Sequence, residues 1–259
     1  MGTDTILNTE ALLTVAVSAA EEACRVILEV YNSGDFGAEA KGDNSPLTIA
    51  DKHGHEVISK ILSETGLPVL SEEGKAISYE VRKEWEYFWM VDPLDGTKEF
   101  IKRNGEFTVN IALIHRNTPI MGVVAIPVTG EVYYASKGKG AFLKKSGEVT
   151  KLPQRSGPNL SEAGLRVVAS RSHMNKETED FINSLKEPSL VSAGSSLKFL
   201  LLANGQADVY PRYAPTMEWD TAAAHAVVSE AGFNVYQFGK EEPLVYNKVD
   251  LLNPYFLVR

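Results

Sequence analysis

Apolar residues recur at helical spacing over residues 10–31, where Leu12, Ala16, Ala19, Ala23, Val26, Ile27 and Val30 share one face and Asn32-Ser33-Gly34 supplies a stop. A polar loop is expected over 34–44. The stretch 46–51 leads into a second amphipathic helix with Val57, Ile58, Ile61 and Leu62 on its apolar side. Thr48 and Asp51 have the spacing of a capping box, with Asp in place of the usual Glu or Gln. The pattern then shifts to short β-like runs. Residues 68–70 predict a strand ending on Ser71-Glu72-Glu73-Gly74, and a loop spans 75–86. The apolar run 87–91 predicts a buried strand that delivers Asp92-Pro93-Leu94-Asp95-Gly96-Thr97, with a short helix over 98–103.

Strands are predicted at 108–114, 120–126, 132–135 and 141–143, separated by Gly-, Pro- and Asn-bearing turns. The first half therefore reads as helices packed on a largely antiparallel sheet. Near 156–164 the rhythm changes to alternating strand and helix. Strands are expected at 165–169, 190–192, 207–210, near 235 and at 255–258, and helices at 176–185, 196–203 and 220–231. The fold class is mixed α+β and α/β, with an N-terminal half over 1–155 and a C-terminal half over 156–259.

At 259 residues the chain is long enough to enclose a dry site. Its net charge of −8 argues against a general nucleic-acid binder or a membrane-surface protein. Cys24 is the single cysteine, which leaves no intramolecular disulfide framework and no cysteine zinc site. Without a basic segment preceding an apolar one at the N-terminus, and without an apolar run long enough to span a bilayer, a cytoplasmic protein is expected.

Candidate chemistry centres on the paired aspartates. Mg²⁺ takes oxygen ligands in near-octahedral geometry, and a two-metal phosphatase needs carboxylates that bridge cations about 4 Å apart. Asp92 and Asp95 suit this, with Pro93 fixing the turn between them and the Leu94 carbonyl as a further ligand. Alone, such a segment is more often a surface turn. The buried strand before it favours a cationic partner for the two carboxylates. Glu72 and Asp220 supply further carboxylates, although Glu72-Glu73 also reads as a solvated turn and Asp220 as a helix N-cap. Gly96 and Thr97 stand at a helix start, where N–H groups suit a phosphate. Thr97 either caps that helix or orients a water, with Asp51 accepting its proton. Lys198, in the helix opening at Gly194-Ser195-Ser196, and Arg212 are anion contacts or ordinary surface charges. His173 reads as a loop histidine, or as a ring that stacks on a base or hydrogen-bonds a phosphate.

Taken together, Glu72-Glu73, Asp92-Pro93-Leu94-Asp95-Gly96-Thr97 and Trp219-Asp220-Thr221-Ala222-Ala223 resemble the ordered motifs of the lithium-sensitive, Mg²⁺-dependent phosphatases. That superfamily includes inositol monophosphatases, fructose-1,6-bisphosphatases and 3′(2′),5′-bisphosphate nucleotidases. The similarity runs from the first helix to the helix after Asp220. Leu70-Ser71-Glu72-Glu73, Gly96-Thr97-Lys98-Glu99-Phe100, Asn104-Gly105-Glu106-Phe107-Thr108-Val109-Asn110, Ser170-Arg171-Ser172-His173, Gly194-Ser195-Ser196-Leu197-Lys198 and Tyr210-Pro211-Arg212 are similar to the bacterial bisphosphate nucleotidase branch.

The resemblance implies a layered α-β-α-β-α sandwich of the sugar-phosphatase type. It also implies hydrolysis of adenosine 3′,5′-bisphosphate to AMP and phosphate, lithium sensitivity and a setting in sulfur assimilation. Glu72, Asp92 and the Leu94 carbonyl would hold one Mg²⁺, and Asp92, Asp95 and Asp220 a second, with a third, weaker ion near Glu72. Asp51, Thr97 and Glu72 would serve water activation, and the N–H groups of Gly96 and Thr97 would hold the scissile phosphate. Glu72, Leu94, Asp95 and Asp220 would also border the substrate, while His173, Ser195, Lys198 and Arg212 would contact the nucleotide and its 5′-phosphate. Without metal, the clustered carboxylates should have raised pKa values. Two other readings are an inositol monophosphatase with the same metals, and a catalytically silent nucleotide- or phosphate-sensing module. The intact water-activating pair argues against the silent module. Residues 75–85 map to no function.

Overall fold

The computed structural model describes residues 7–40, 46–169 and 174–259. Helix α1 (Thr9–Ser33) starts where the Asn8 side chain accepts from the Ala11 N–H, and it ends at Gly34 in the left-handed conformation, φ 78°. Two short strands, β1 (Glu39–Ala40) and β2 (Pro46–Leu47), pair across the polar stretch that was expected to be loop throughout. Helix α2 (Ile49–Ser63) opens on a complete capping box between Thr48 and Asp51.

The main sheet is built from β3 (Val69–Ser71), β4 (Tyr87–Asp95), β5 (Thr108–His115), β6 (Thr118–Ile126), β7 (Glu131–Ser136), β8 (Gly140–Lys145) and β9 (Glu148–Lys151), in that order. β3 and β4 are parallel, and every later pair is antiparallel. Residues 75–86, expected to be loop, contain the helix α3 (Tyr79–Arg82). β9 was not anticipated. All four of its residues are exposed, so its sequence lacks the alternation that marks a half-buried strand. Helix α4 (Thr97–Ile101) is shorter than predicted and starts one residue earlier.

Beyond residue 156 the strands β10 (Arg166–Val168) and β11 (Ser189–Val191) pair in parallel, flanked by α5 (Lys176–Asn183). After α6 (Leu197–Ala203), strand β12 (Tyr210–Arg212) begins where the predicted strand 207–210 was to end. Pro211 is tolerated because β12 has only β14 as its ladder partner within the three-stranded sheet. Helix α7 (Ala222–Glu230) is followed by β13 (Val235–Gln237) and β14 (Phe256–Val258), giving the order β12-β14-β13. A bridge from Val167 to Val209 joins the two small sheets.

Two apolar cores sandwich the main sheet. On one face, Ala16, Ala19, Ala20, Ala23 and Ile27 of α1 and Ile58 and Leu62 of α2 pack on Trp89, Val91, Ile111, Leu113 and Val123. On the other, Phe199, Leu202, Ala223, Val227 and Val228 of α6 and α7 lie between the sheet residues Phe88, Met90, Ala112 and Val124 and the small-sheet residues Val235, Phe256 and Val258. Beyond the small sheet, Phe181 and Leu185, from α5 and just after it, meet Leu165, Val209 and Leu257. The layers therefore run α-β-α-β-α. Gly122 marks where α7 sits closest to the sheet, because a Cβ there would collide with the Ala223 carbonyl. Among the described residues no helix is long and apolar enough to cross a membrane.

Candidate active site

The parallel pairing of β3 with β4 brings two carboxylates to one end of the sheet. Ser71 is in register with Val91, and the Glu72 N–H donates to the Val91 carbonyl at 3.0 Å, so Glu72 and Asp92 leave neighbouring strands together. The paired aspartates do not follow the strand as predicted; they lie within it. Asp92 opposes Asn110 and Asp95 opposes Thr108, so β4 uses three steps where β5 uses two. The extra residue is a bulge, which falls at Pro93 and Leu94 and redirects the side chains on either side. The Leu94 N–H turns inward to Asp92 Oδ1 at 3.0 Å.

Asp220 completes the group from the other side of the cleft. It does not cap α7, whose N-cap is Thr221; instead its Oδ2 accepts from the Met217 N–H at 2.8 Å. Oxygens from Glu72, Asp92 and Asp220 all lie within 4.8 Å of one another. Burial first, and then the charges of Glu72, Asp95 and Asp220, push Asp92 well above the usual carboxylate range. Asp220 is pushed well above it by burial and by Asp95. A cluster of carboxyl oxygens that resists full ionisation without a cation is the donor set a hard cation such as Mg²⁺ requires.

Asp95 stands beside this trio with one oxygen engaged. Its Oδ2 accepts from Ser195 Oγ and from the Ser196 N–H, both at 2.6 Å. Its pKa is raised by burial and held down in part by Ser195, Lys198 and Arg212. Thr108 Oγ1 bonds both serine hydroxyls, at 2.7 and 2.8 Å, and Ser196 Oγ donates to Asn110 Oδ1 at 2.9 Å. No role was read for Thr108, Asn110 or Ser196 in the sequence. The available signal was the pair of polar residues on alternate positions of a strand that is otherwise apolar and buried up to its last residue, His115.

Across from the trio, Thr97 Oγ1 donates to Asp51 Oδ1 at 3.0 Å. Thr97 is the first residue of α4, whose cap is Gly96 at φ 95°, so the hydroxyl does not cap its own helix. Asp51 is 1% exposed, and burial raises its pKa against hydrogen bonds from Thr48 and Thr97. A cavity of about 780 Å³ opens from this point, bordered by Glu72, Asp95, Gly96, Thr97, Ser195, Lys198, Arg212 and Asp220. Lys198 is buried with its Nζ 3.2 Å from the Ser195 carbonyl, and its pKa is lowered by burial and by Arg212. Arg212 donates to the Pro215 carbonyl at 3.2 Å, while its buried Nε has no partner among the described residues. His173 lies outside the described residues. Of the other residues singled out in the sequence for the site, only Asp51, Asp92 and Leu94 are not among those that line this cavity, and each is joined by a hydrogen bond or within 4.8 Å to one that is.

The fold and site define a member of the inositol monophosphatase family, whose family model matches residues 8–256. The chain is 45% identical to the 3′(2′),5′-bisphosphate nucleotidase CysQ of Escherichia coli K12 over 252 residues, 95% of this chain and 99% of that one. The crystal structure of CysQ from Bacteroides thetaiotaomicron is similar at a TM-score of 0.86 and 49% identity, covering 96% of this chain and 97% of that one. An IMPase of Thermotoga maritima shares the fold at a TM-score of 0.77 and 21% identity, covering 96% and 91%.

Proposed function

We propose that this protein is a Mg²⁺-dependent phosphatase that hydrolyses adenosine 3′,5′-bisphosphate to AMP and phosphate. The observation that carries the reading is Thr97, hydrogen-bonded to Asp51, bordering one cavity with Glu72 and Asp220 of the carboxylate trio. Glu72, Asp92 and the Leu94 carbonyl would hold one Mg²⁺. Asp92, Asp220 and the second oxygen of Asp95 would hold another, and Glu72 would border a third, weaker site. Bound there, Mg²⁺ supplies charge neutralisation of the phosphate oxygens and a more acidic attacking water.

The chain's own groups do the rest. The Thr97 hydroxyl donates a hydrogen bond to Asp51, which turns the lone pairs of Oγ1 toward the cavity to orient a water. As Thr97 Oγ1 takes a proton from the water, the Thr97 hydroxyl proton passes to Asp51, whose pKa is raised by burial, so that the water loses one proton and Asp51 gains one. The N–H groups of Gly96 and Thr97 hold the scissile phosphate. Lys198 and Arg212 bind the second phosphate, and Arg212 Nε is a buried donor without an acceptor among the described residues. Ser195 keeps Asp95 in place and borders the nucleotide, and His173 is assigned to the same substrate.

Identity of 44–46% over 95% of this chain to the 3′(2′),5′-bisphosphate nucleotidases CysQ of Escherichia coli, Shigella flexneri and Salmonella typhimurium supports the nucleotide over the inositol ester. A place in sulfur assimilation, lithium sensitivity and a cytoplasmic setting belong to the same reading. Asp92→Asn and Asp95→Asn should each abolish turnover while leaving the fold intact by circular dichroism. Turnover at the wild-type rate by either variant would overturn the assignment.

A further inference from the structure

The turn that presents Asp220 is held from behind by residues 246–253. The Glu218 N–H donates to the Leu251 carbonyl at 2.9 Å, and the Asn253 N–H donates to the Thr216 carbonyl at 2.8 Å. Asn253 Nδ2 reaches the Met217 carbonyl at 2.8 Å and Thr221 Oγ1 at 3.0 Å. Both flanks of Asp220 are thus fixed to one partner segment.

At the centre lies Glu218, with no exposed surface. Its Oε2 accepts from the Asn247 N–H at 2.5 Å, and its Oε1 accepts from the Lys248 N–H at 3.0 Å and from Lys248 Nζ at 2.5 Å. Asn247, at φ 62°, is tied in turn to Arg82. Arg82 Nη1 donates to Asn247 Oδ1 at 2.7 Å, and Asn247 Nδ2 donates to the Arg82 carbonyl at 2.8 Å. Arg82 is 3% exposed and sits in the stretch of chain that leaves Glu72. One network therefore joins Arg82 of α3, ten residues along the chain from Glu72, to the turn that carries Asp220.

A buried ion pair is a weak source of stability, because desolvating both ions offsets most of their attraction. Apolar residues of similar size would fill the same space. Glu218 adds direction instead: three donors converge on one carboxylate and leave the backbone at 217–220 with a single position. Partners of this kind behind metal ligands govern affinity in other sites. Resting on the assignment of Asp220 to Mg²⁺, we infer that Glu218 is a positioning residue. With Lys248, Asn247 and Arg82 it sets Asp220 at the separation from Glu72 and Asp92 that a cation needs. It is not among the residues that line the cavity.

The test is calorimetric titration of Mg²⁺ into metal-free wild type, Glu218→Gln and Lys248→Met, with thermal unfolding and the KM for adenosine 3′,5′-bisphosphate at saturating Mg²⁺ measured alongside. Glu218→Gln should bind Mg²⁺ about 10–100-fold more weakly while remaining folded. Its KM should stay within about twofold of wild type. Lys248→Met keeps the aliphatic stem and should show a smaller loss in the same direction. Should Glu218→Gln not fold, Lys248→Met carries the test alone. A folded variant with wild-type Mg²⁺ affinity overturns the positioning role and leaves the metal reading standing. Loss of Mg²⁺ affinity and rise of KM in step with lost stability overturns it too, as a structural effect. Wild-type protein that binds no Mg²⁺ overturns the metal reading and the positioning role with it.

Discussion

Thr97 Oγ1 stands 3.0 Å from Asp51 Oδ1, while Asp51 Oδ2 accepts from both the N–H and the hydroxyl of Thr48, at 2.7 and 2.6 Å. One carboxylate thus caps α2 with one oxygen and faces the cavity wall with the other. The cap fixes the rotamer, and the fixed rotamer aims the base. Asp51→Asn and Thr97→Ala should each lower kcat by about 10²–10⁴-fold at saturating Mg²⁺. Thr97→Ser, which keeps the hydroxyl, should stay close to wild type. Asp51→Asn should also cost about 0.5–2 kcal/mol of stability through the weakened cap. Steady-state kinetics with thermal melts separates the two effects, and an unimpaired Thr97→Ala would contradict the pairing.

Asp92 and Asp220 are held well above their ordinary value of 3.8, chiefly by burial. A raised folded pKa means the folded state takes up protons more readily than the unfolded chain. The stability from these groups is therefore present at low pH and is lost as pH rises through the raised values. In the absence of divalent cation, Asp92→Asn should melt above wild type at about pH 8, and the gain should shrink as pH falls toward about 4. With Mg²⁺ at pH 8 the order should reverse, because the cation stabilises the protein that binds it. A pH-independent difference in Tm would contradict this account of the cluster.

Lys198 and Arg212 face the same cavity, and neither touches the carboxylate trio directly in the hydrogen-bond network. Loss of one charge-assisted contact is worth roughly 1.5–3 kcal/mol, so Lys198→Met or Arg212→Met should raise KM for the nucleotide about 10–100-fold. Calorimetric Mg²⁺ affinity should change little. A lowered kcat with unaltered KM would place these residues in the chemistry instead.

Where the sequence pattern was strong, the structure follows it. The α1 stripe, the Thr48–Asp51 box and the apolar run into Asp92 each act within a few residues, so local spacing reveals them. The bulge at Pro93 and Leu94 is a matter of pairing between two strands, and nothing in β4 alone announces it. For the same reason the serine network on Asp95 was missed, since Ser195 is 100 positions away and Thr108 belongs to another strand. Residues 75–85 read as a bare loop because the value of Arg82 depends on Asn247 and Lys248, more than 160 positions downstream. On spacing alone Asp220 reads equally as an N-cap or a ligand, because an acid before an alanine-rich helix commonly caps it. Only the fold shows its carboxylate turned to Met217 and toward Glu72 and Asp92.

The central claim, that the carboxylate trio serves nucleotide phosphate hydrolysis, is tested most directly by phosphate release. Adenosine 3′,5′-bisphosphate and inositol 1-phosphate are supplied in parallel, each with and without Mg²⁺. Rapid Mg²⁺-dependent release from the nucleotide, with little from the inositol ester, is the predicted result. Preference for the inositol ester would contradict the roles given to Lys198 and Arg212, and no release from either would contradict the account of the site as a whole.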